Sequence, residues 1–163
     1  MKELLIIRSA SFQQLDKNIG VIAERFPEHN IHILTHEHGV LLARKYKMIK
    51  EIFVYPYRSG FSYWKKTLEI KEKTFDVVIV PVTNLSGAGF FNVLLFSLSI
   101  KACQRFCCNV VSELTALSPG GILILGLKNS FFKLIAWLGT VIFAIPIGLF
   151  FLLKLKVMEK RGE

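Results

Sequence analysis

Residues Asp76–Pro81 read DVVIVP, the clearest strand in the chain. Val77, Val78, Ile79 and Val80 form an unbroken row of β-branched apolar residues. Such a run fits a strand buried on both faces of a parallel sheet, where neither face alternates toward water. Working outward, Leu4–Arg8 (LLIIR) is another short apolar run of this kind, and Ile31–Thr35 (IHILT) and Glu51–Tyr55 (EIFVY) read as the second and third strands. Helical periods lie between them. Leu15, Ile19, Ile22 and Phe26 recur at steps of three and four, so Ser11–Phe26 predicts a helix. Ser11 is a suitable N-cap, and Pro27 ends the helix. Val40–Tyr46 predicts a short helix, Phe61–Lys73 a charged amphipathic one, and Gly89–Ile100 a strongly apolar one. Cys103–Cys108 is a candidate fifth strand.

Strand and helix in alternation predict the α/β class: a single Rossmann-like domain with a parallel sheet, its helices on both faces through right-handed crossovers. The pattern fades after Asn109, and Ser118-Pro119-Gly120-Gly121 is a break. The expected organisation is a domain over residues 1–118, a linker or interfacial segment over 119–133, a transmembrane helix over 134–153 and a basic tail over 154–163.

Leu134–Leu153 reads LIAWLGTVIFAIPIGLFFLL, with no charge in twenty residues. At about 1.5 Å rise per residue it reaches roughly 30 Å, the thickness of a bilayer's hydrocarbon core. Thirteen of the twenty are Leu, Ile, Val or Phe, each favouring insertion by roughly 0.3–0.6 kcal/mol. Lys128 and Lys133 precede the segment, and Lys154, Lys156, Lys160 and Arg161 follow it. Ile122–Leu127, with Lys128 and Lys133, fits an interfacial helix.

The N-terminal MKELLIIRSASF lacks the long apolar core and small-residue cleavage site of a signal peptide. The domain is therefore expected in the cytoplasm, as part of a single-pass membrane protein. The net charge of +9 fits anionic lipid, nucleic acid or anionic substrates. Lipid is the preferred partner, because a tethered domain lies within a Debye length of the bilayer. Nucleic acid is not expected, since no compact Arg/Lys block with interleaved aromatics is present. Cys103, Cys107 and Cys108 form no disulfide framework and read as small buried hydrophobes in a reducing compartment.

Ligands of parallel α/β sheets bind beyond the carboxyl ends of the strands. Arg8, Ser9, Ser11 and Asn84 would converge there and suit a sugar or phosphate acceptor; ordinary loop polarity explains them equally well. Ser86-Gly87-Ala88-Gly89 opens a helix after the best strand. Its backbone N–H groups would cradle a phosphate, but a tight turn is the preferred reading. His29, His32, His36 and His38 cluster in sequence without a third converging ligand, so no metal and no cofactor is expected; they read as solvated loop residues, with His32 on a strand face. Tyr55, Tyr57, Phe61, Tyr63 and Trp64 stand beside Arg58, Lys65 and Lys66. Trp64 and Lys65, with Lys128, Lys133, Lys154 and Lys156, are candidate membrane-interface residues; packing beneath the loop is the other reading of the rings.

In order and spacing, ELLIIRSASF, RFPEHNIHILT, EIFVYPYRSG and FDVVIV resemble the N-terminal half of the lipopolysaccharide heptosyltransferases, glycosyltransferases of GT-B fold. The resemblance covers roughly residues 1–110. It implies an acceptor-side half of a sugar-transfer enzyme. The family's Gly-Asp pair after the first strand, whose Asp is its proposed base, falls on Gln13-Gln14, so no catalytic residue is assigned. An amide does not take a proton as a carboxylate does. Where the family places a second, donor-binding domain, this sequence has the apolar segment. The expected function is therefore a membrane-anchored half domain in glycoconjugate or lipid-linked sugar assembly. Its partners would be a soluble donor-binding subunit and a lipid-linked sugar acceptor. The alternative is a catalytically inert adaptor within a larger membrane complex.

Basic residues at both ends of the apolar segment leave two topologies. A single span is preferred over a re-entrant hairpin bending near Pro146, because a hairpin must satisfy its freed carbonyl inside the bilayer. In vesicles with the cytoplasmic face outward, a C-terminal tag is expected to resist added protease. Removal of the tag would establish the hairpin.

Overall fold

The computed structural model describes residues 2–65 and 67–161, without the side chains of 68, 129, 149, 152, 153 and 156–161. Six strands form one sheet: β1 (Lys2–Ile7), β2 (His29–His36), β3 (Ile49–Tyr55), β4 (Thr74–Pro81), β5 (Lys101–Cys108) and β6 (Leu114–Ala116). Their order is β3-β2-β1-β4-β5-β6. The first five are parallel, and β6 joins antiparallel beside β5, pairing Phe106 with Ala116. The expected parallel sheet is thus extended by one antiparallel edge strand. Its three residues follow a tight turn at Asn109–Glu113, too short to show a period.

Burial explains the runs. Leu4–Ile7 and Val77–Val80 are at most 3 % exposed. Fully burying each such side chain is worth about 1.5–3 kcal/mol. On one face Leu4, Ile6, Ile31, Ile33, Val77 and Ile79 meet Leu15, Ile19 and Ile22 of α1 (Phe12–Arg25). Ser11 caps α1, its hydroxyl accepting from Gln14 N at 3.3 Å. On the other face an aromatic cluster joins Tyr55 to Phe61 and to Phe96 of α4 (Phe91–Leu98), with ring centroids 4.7 and 5.5 Å apart. The guanidinium of Arg105 closes the end of α4, donating to the carbonyls of Ser97, Ile100 and Ala102.

Several elements differ from the sequence reading. The second helix, α2, spans only Val40–Ala43 and follows a 3-10 turn at Glu37–Gly39. The amphipathic helix expected over Phe61–Lys73 shrinks to α3, Leu68–Glu72. Thr67 caps α3 through Ile70 N, while Phe61 is buried and Ser62 N donates to the Tyr55 hydroxyl. The aromatic spacing there fills a loop over the sheet rather than a helical stripe. Cys107 and Cys108 are buried as expected, whereas Cys103 is exposed near the start of β5. Burial pushes the Cys107 thiol up to about 11 and Cys108 to about 12, so both stay protonated.

His29 and His36 belong to β2 and not to a loop, and His32 lies on that strand as expected. His32 is 3 % exposed. Its Nε2 contacts Glu3 Oε2, and its Nδ1 lies 3.3 Å from Glu51 Oε2. Burial opposes ionisation of Glu3. Hydrogen bonds from His32 and Asn30, with the charges of His32 and Lys50, outweigh it and hold the carboxyl below its ordinary value. This polar knot ties β1, β2 and β3 together at the amino end of the sheet, away from the carboxyl edge.

The chain divides into two compact units, Met1–Ile124 and Leu125–Glu163. The final helix, α5, runs over Pro119–Arg161. Ser118 caps it through Gly121 N at 3.0 Å, and Pro119 occupies the first helical position, where its missing N–H costs nothing. Ser118–Gly121 therefore begins a helix rather than a linker. Among the described residues α5 alone is long and apolar enough to cross a membrane, over Pro119–Gly148. It continues through Pro146, and Thr140 donates back to the Ala136 carbonyl at 2.8 Å.

Ile79→Ala, in the middle of β4, is expected to cost about 2–5 kcal/mol through lost burial and a residual cavity. Thermal unfolding of the full chain in mild detergent measures it, and a loss well under 1 kcal/mol would mean that the sheet centre repacks.

Candidate functional site

The strand order reverses between β1 and β4: the chain leaves β1 toward β2 on one side and β4 toward β5 on the other. The two departing loops diverge and leave a crevice at the carboxyl edge. A cleft of about 470 Å3 lies there, lined by Arg8 and Ser9 after β1, by His36 and His38 after β2, by Arg58 and Phe61 after β3, and by the opening turn of α4. An adjoining hollow of about 280 Å3 is lined by His36, Glu37, His38, Tyr57 and Arg58 among others.

Arg8 is the best-held of the charged groups. Its Nε donates to Thr35 Oγ1 at 2.7 Å, and Nη1 donates to the Ala10 carbonyl at 3.3 Å. Nη2 lies 3.3 Å from His38 Nε2, and the guanidinium stacks 4.9 Å from the Phe12 ring. Every one of these partners is uncharged when His38 is neutral. Burial draws the pKa of Arg8 below its ordinary value, but a guanidinium keeps its charge in proteins. Gly39 makes the arrangement sterically feasible: a Cβ there would overlap Thr35 Oγ1 and come within 3.2 Å of Arg8 Nε.

His36 and His38 stack with ring centroids 5.6 Å apart. His36 Nε2 reaches the Ser59 carbonyl at 3.4 Å, and its ring packs against Phe61 and Tyr55. Burial, together with the charges of Arg8 and His38, lowers the pKa of His36 from its ordinary value, against the opposing hydrogen bond to Ser59.

The other candidates divide. Ser9 lines the cleft and also donates to the Pro81 carbonyl, tying the ends of β1 and β4. Ser11 caps α1. Asn84 turns onto its own loop, with Nδ2 donating to the Ala88 carbonyl and Oδ1 accepting from Gly87 N, both at 2.6 Å. Ser86 accepts weakly from Ala88 N at 3.4 Å. Gly87 and Gly89 take positive φ of 72° and 86°, the tight turn expected of Ser86–Gly89. Gln14, where the heptosyltransferase pattern has its acid, is buried and donates to Asn18 Oδ1 and the Val110 carbonyl.

Arg58, His36 and His38 enter the cleft, although their sequence neighbours point to a membrane face or to solvent. The signal that could have found them is the strand-end position of His36-Glu37-His38. Among the described residues no group of three potential ligands could hold a metal ion. The aromatic segment also divides: Tyr55 and Phe61 are buried, Tyr57 and Trp64 are exposed, and Trp64 reaches 87 %. Lys65 stacks over Tyr57 at 5.3 Å. Lys128, Lys133 and Lys154 are exposed; Lys66 and the Lys156 side chain lie outside the described residues. Compared with known proteins, the chain matches no family model, no curated protein and no solved structure.

A histidine with a depressed pKa binds its proton more readily in the unfolded chain. Its contribution therefore makes stability rise with pH up to the ordinary value of 6.5 and fall again as pH drops through the folded pKa. The groups around His36 are Arg8, His38, Tyr55, Glu37 and Arg58. His36→Gln is expected to flatten the rise in melting temperature as pH increases toward the ordinary value of 6.5. Superimposable profiles for the two proteins would refute the assignment.

Proposed function

We propose that this chain is a membrane-anchored, glycosyltransferase-like half domain that binds an acceptor in glycoconjugate or lipid-linked sugar assembly. Its sheet is read as Rossmann-like, and its cleft as the acceptor site. The observation that carries this reading is a basic cleft at the reversal of a parallel sheet, in a chain that also has a membrane-length apolar helix. A nucleotide sugar would be held by a partner subunit. The helix would be a single span with the sheet domain in the cytoplasm, and its continuity through Pro146 supports a span over a hairpin. Trp64 and Lys65, with Lys128, Lys133 and Lys154, would face the lipid interface.

In this reading the cleft orients the acceptor and stabilises negative charge, with Arg8 as the principal fixed charge. His36 and His38 line the same cleft beside it.

One observation favours the second reading, a catalytically inert adaptor in a larger membrane complex. Among the described residues the cleft lining holds no carboxylate, and Gln14 is buried against Asn18.

Purification of the chain from its host in mild detergent, with assay of transfer from labelled nucleotide sugars, tests the choice. Co-purification of a donor-binding subunit and a loss of transfer of at least about 100-fold in Arg8→Ala are expected, as for removal of a charge-stabilising group. An inert complex with unrelated membrane subunits, intact in Arg8→Ala, would establish the adaptor.

A further inference from the structure

The cleft holds more positive charge than its surroundings neutralise. Arg8 and Arg58 both line it, and among the described residues no carboxylate does. Among the described residues neither guanidinium takes part in an ion pair. Glu37 lines the adjoining hollow with Arg58 and is exposed. Arg8 is half-buried and fixed by Thr35, Ala10, His38 and Phe12, so its position is set before any ligand arrives. A preset, partly desolvated cation with neutral neighbours gains more from an anion than a solvated surface lysine does.

The donor set also selects among anions. One guanidinium satisfies a planar carboxylate through two parallel bonds. Here two guanidiniums and two imidazoles converge from three strand ends, and Asn92 stands on the α4 side. That suits an anion with three or more oxygens pointing in different directions. The volume, about 470 Å3, lies within the range of small-molecule sites and leaves room beyond one phosphate for the group that bears it.

We infer that the cleft binds the phosphate group of a phosphorylated ligand, with Arg8 and Arg58 gripping its oxygens and His38 beside them. This deepens the acceptor reading by naming the acceptor's chemistry, and rests on the cleft being the acceptor site. The phosphate belongs either to a lipid headgroup at the bilayer surface or to a soluble phosphorylated compound.

The test uses the full chain in an uncharged detergent, titrated with inorganic pyrophosphate and followed by calorimetry. Saturable binding is expected, weakened at least tenfold by Arg8→Gln and at least tenfold by Arg58→Gln. Arg58 is exposed, and replacing an exposed side chain without an ion pair is expected to leave the fold intact, so the test stands even if Arg8→Gln does not fold. Doping the micelles with phosphatidic acid distinguishes the sources. Competition with pyrophosphate that phosphatidylglycerol does not reproduce supports the site and assigns a lipid phosphomonoester. Arginine-dependent pyrophosphate binding without that competition supports the site and assigns a soluble ligand. Absence of arginine-dependent binding of both pyrophosphate and phosphatidic acid would overturn the inference. No sugar donor is present in this measurement. A chain that binds pyrophosphate but transfers no sugar therefore refutes only the glycosyltransferase reading. Transfer to a phosphate-free acceptor, without pyrophosphate binding, refutes only the phosphate site.

Discussion

Double burial of β1 and β4 is the constraint on which the rest of the sheet domain depends. Leu4–Ile7 and Val77–Val80 have helices, loops or strands on every side. An unpaired polar group in that layer would cost several kcal/mol, so polar chemistry is confined to the strand ends. The chain leaves β1 and β4 in opposite directions, and the crevice opens at their carboxyl ends. The same constraint that makes the middle of the sheet apolar thus makes its edge polar.

The two ends are used differently. At the amino end His32 is enclosed by Glu3 and Glu51, with Lys50 and Lys73 outside them, so charge is matched locally and holds three strands together. At the carboxyl end Arg8 is held in place by neutral groups and its charge is left unmatched. Matched charge within a fold is a structural device; fixed, unmatched charge beside a cleft is what a ligand site requires. Gly39 links the two levels, since its missing side chain lets the chain after β2 pass close over Thr35 and Arg8.

The proposed heptosyltransferase resemblance would place an acid where Gln14 stands. In the structure Gln14 serves packing instead, joining α1 to the turn before β6 together with Asn18 and Ser112. A carboxylate in that buried amide network would be desolvated, and an amide can both donate and accept there. The departure from the pattern therefore has a packing reason independent of catalysis.

By itself the sequence determined what depends on local period and composition. The first four strands, α1 with its Ser11 cap, the turn at Ser86–Gly89 and the apolar helix follow from apolar runs, steps of three and four, turn glycines and the absence of charge over twenty residues. The start of α5 was legible too, in Ser118-Pro119, but two glycines masked it. Only the tertiary structure decided which polar side chains share a site. Ser11 and Asn84 look like ligand groups in sequence and turn out to bond their own backbone, because local side-chain bonds are the easiest to form. His36 and His38 look like solvated loop residues, and Arg58 like a basic neighbour of a membrane-facing aromatic cluster; all three come to line one cleft with Arg8, because separate strands in parallel register end at one edge. Likewise Phe61 and Tyr55, read with Trp64 as one aromatic cluster, separate into a buried pair and an exposed ring. Convergence depends on strand order, and strand order is set by long-range pairing that no local pattern encodes.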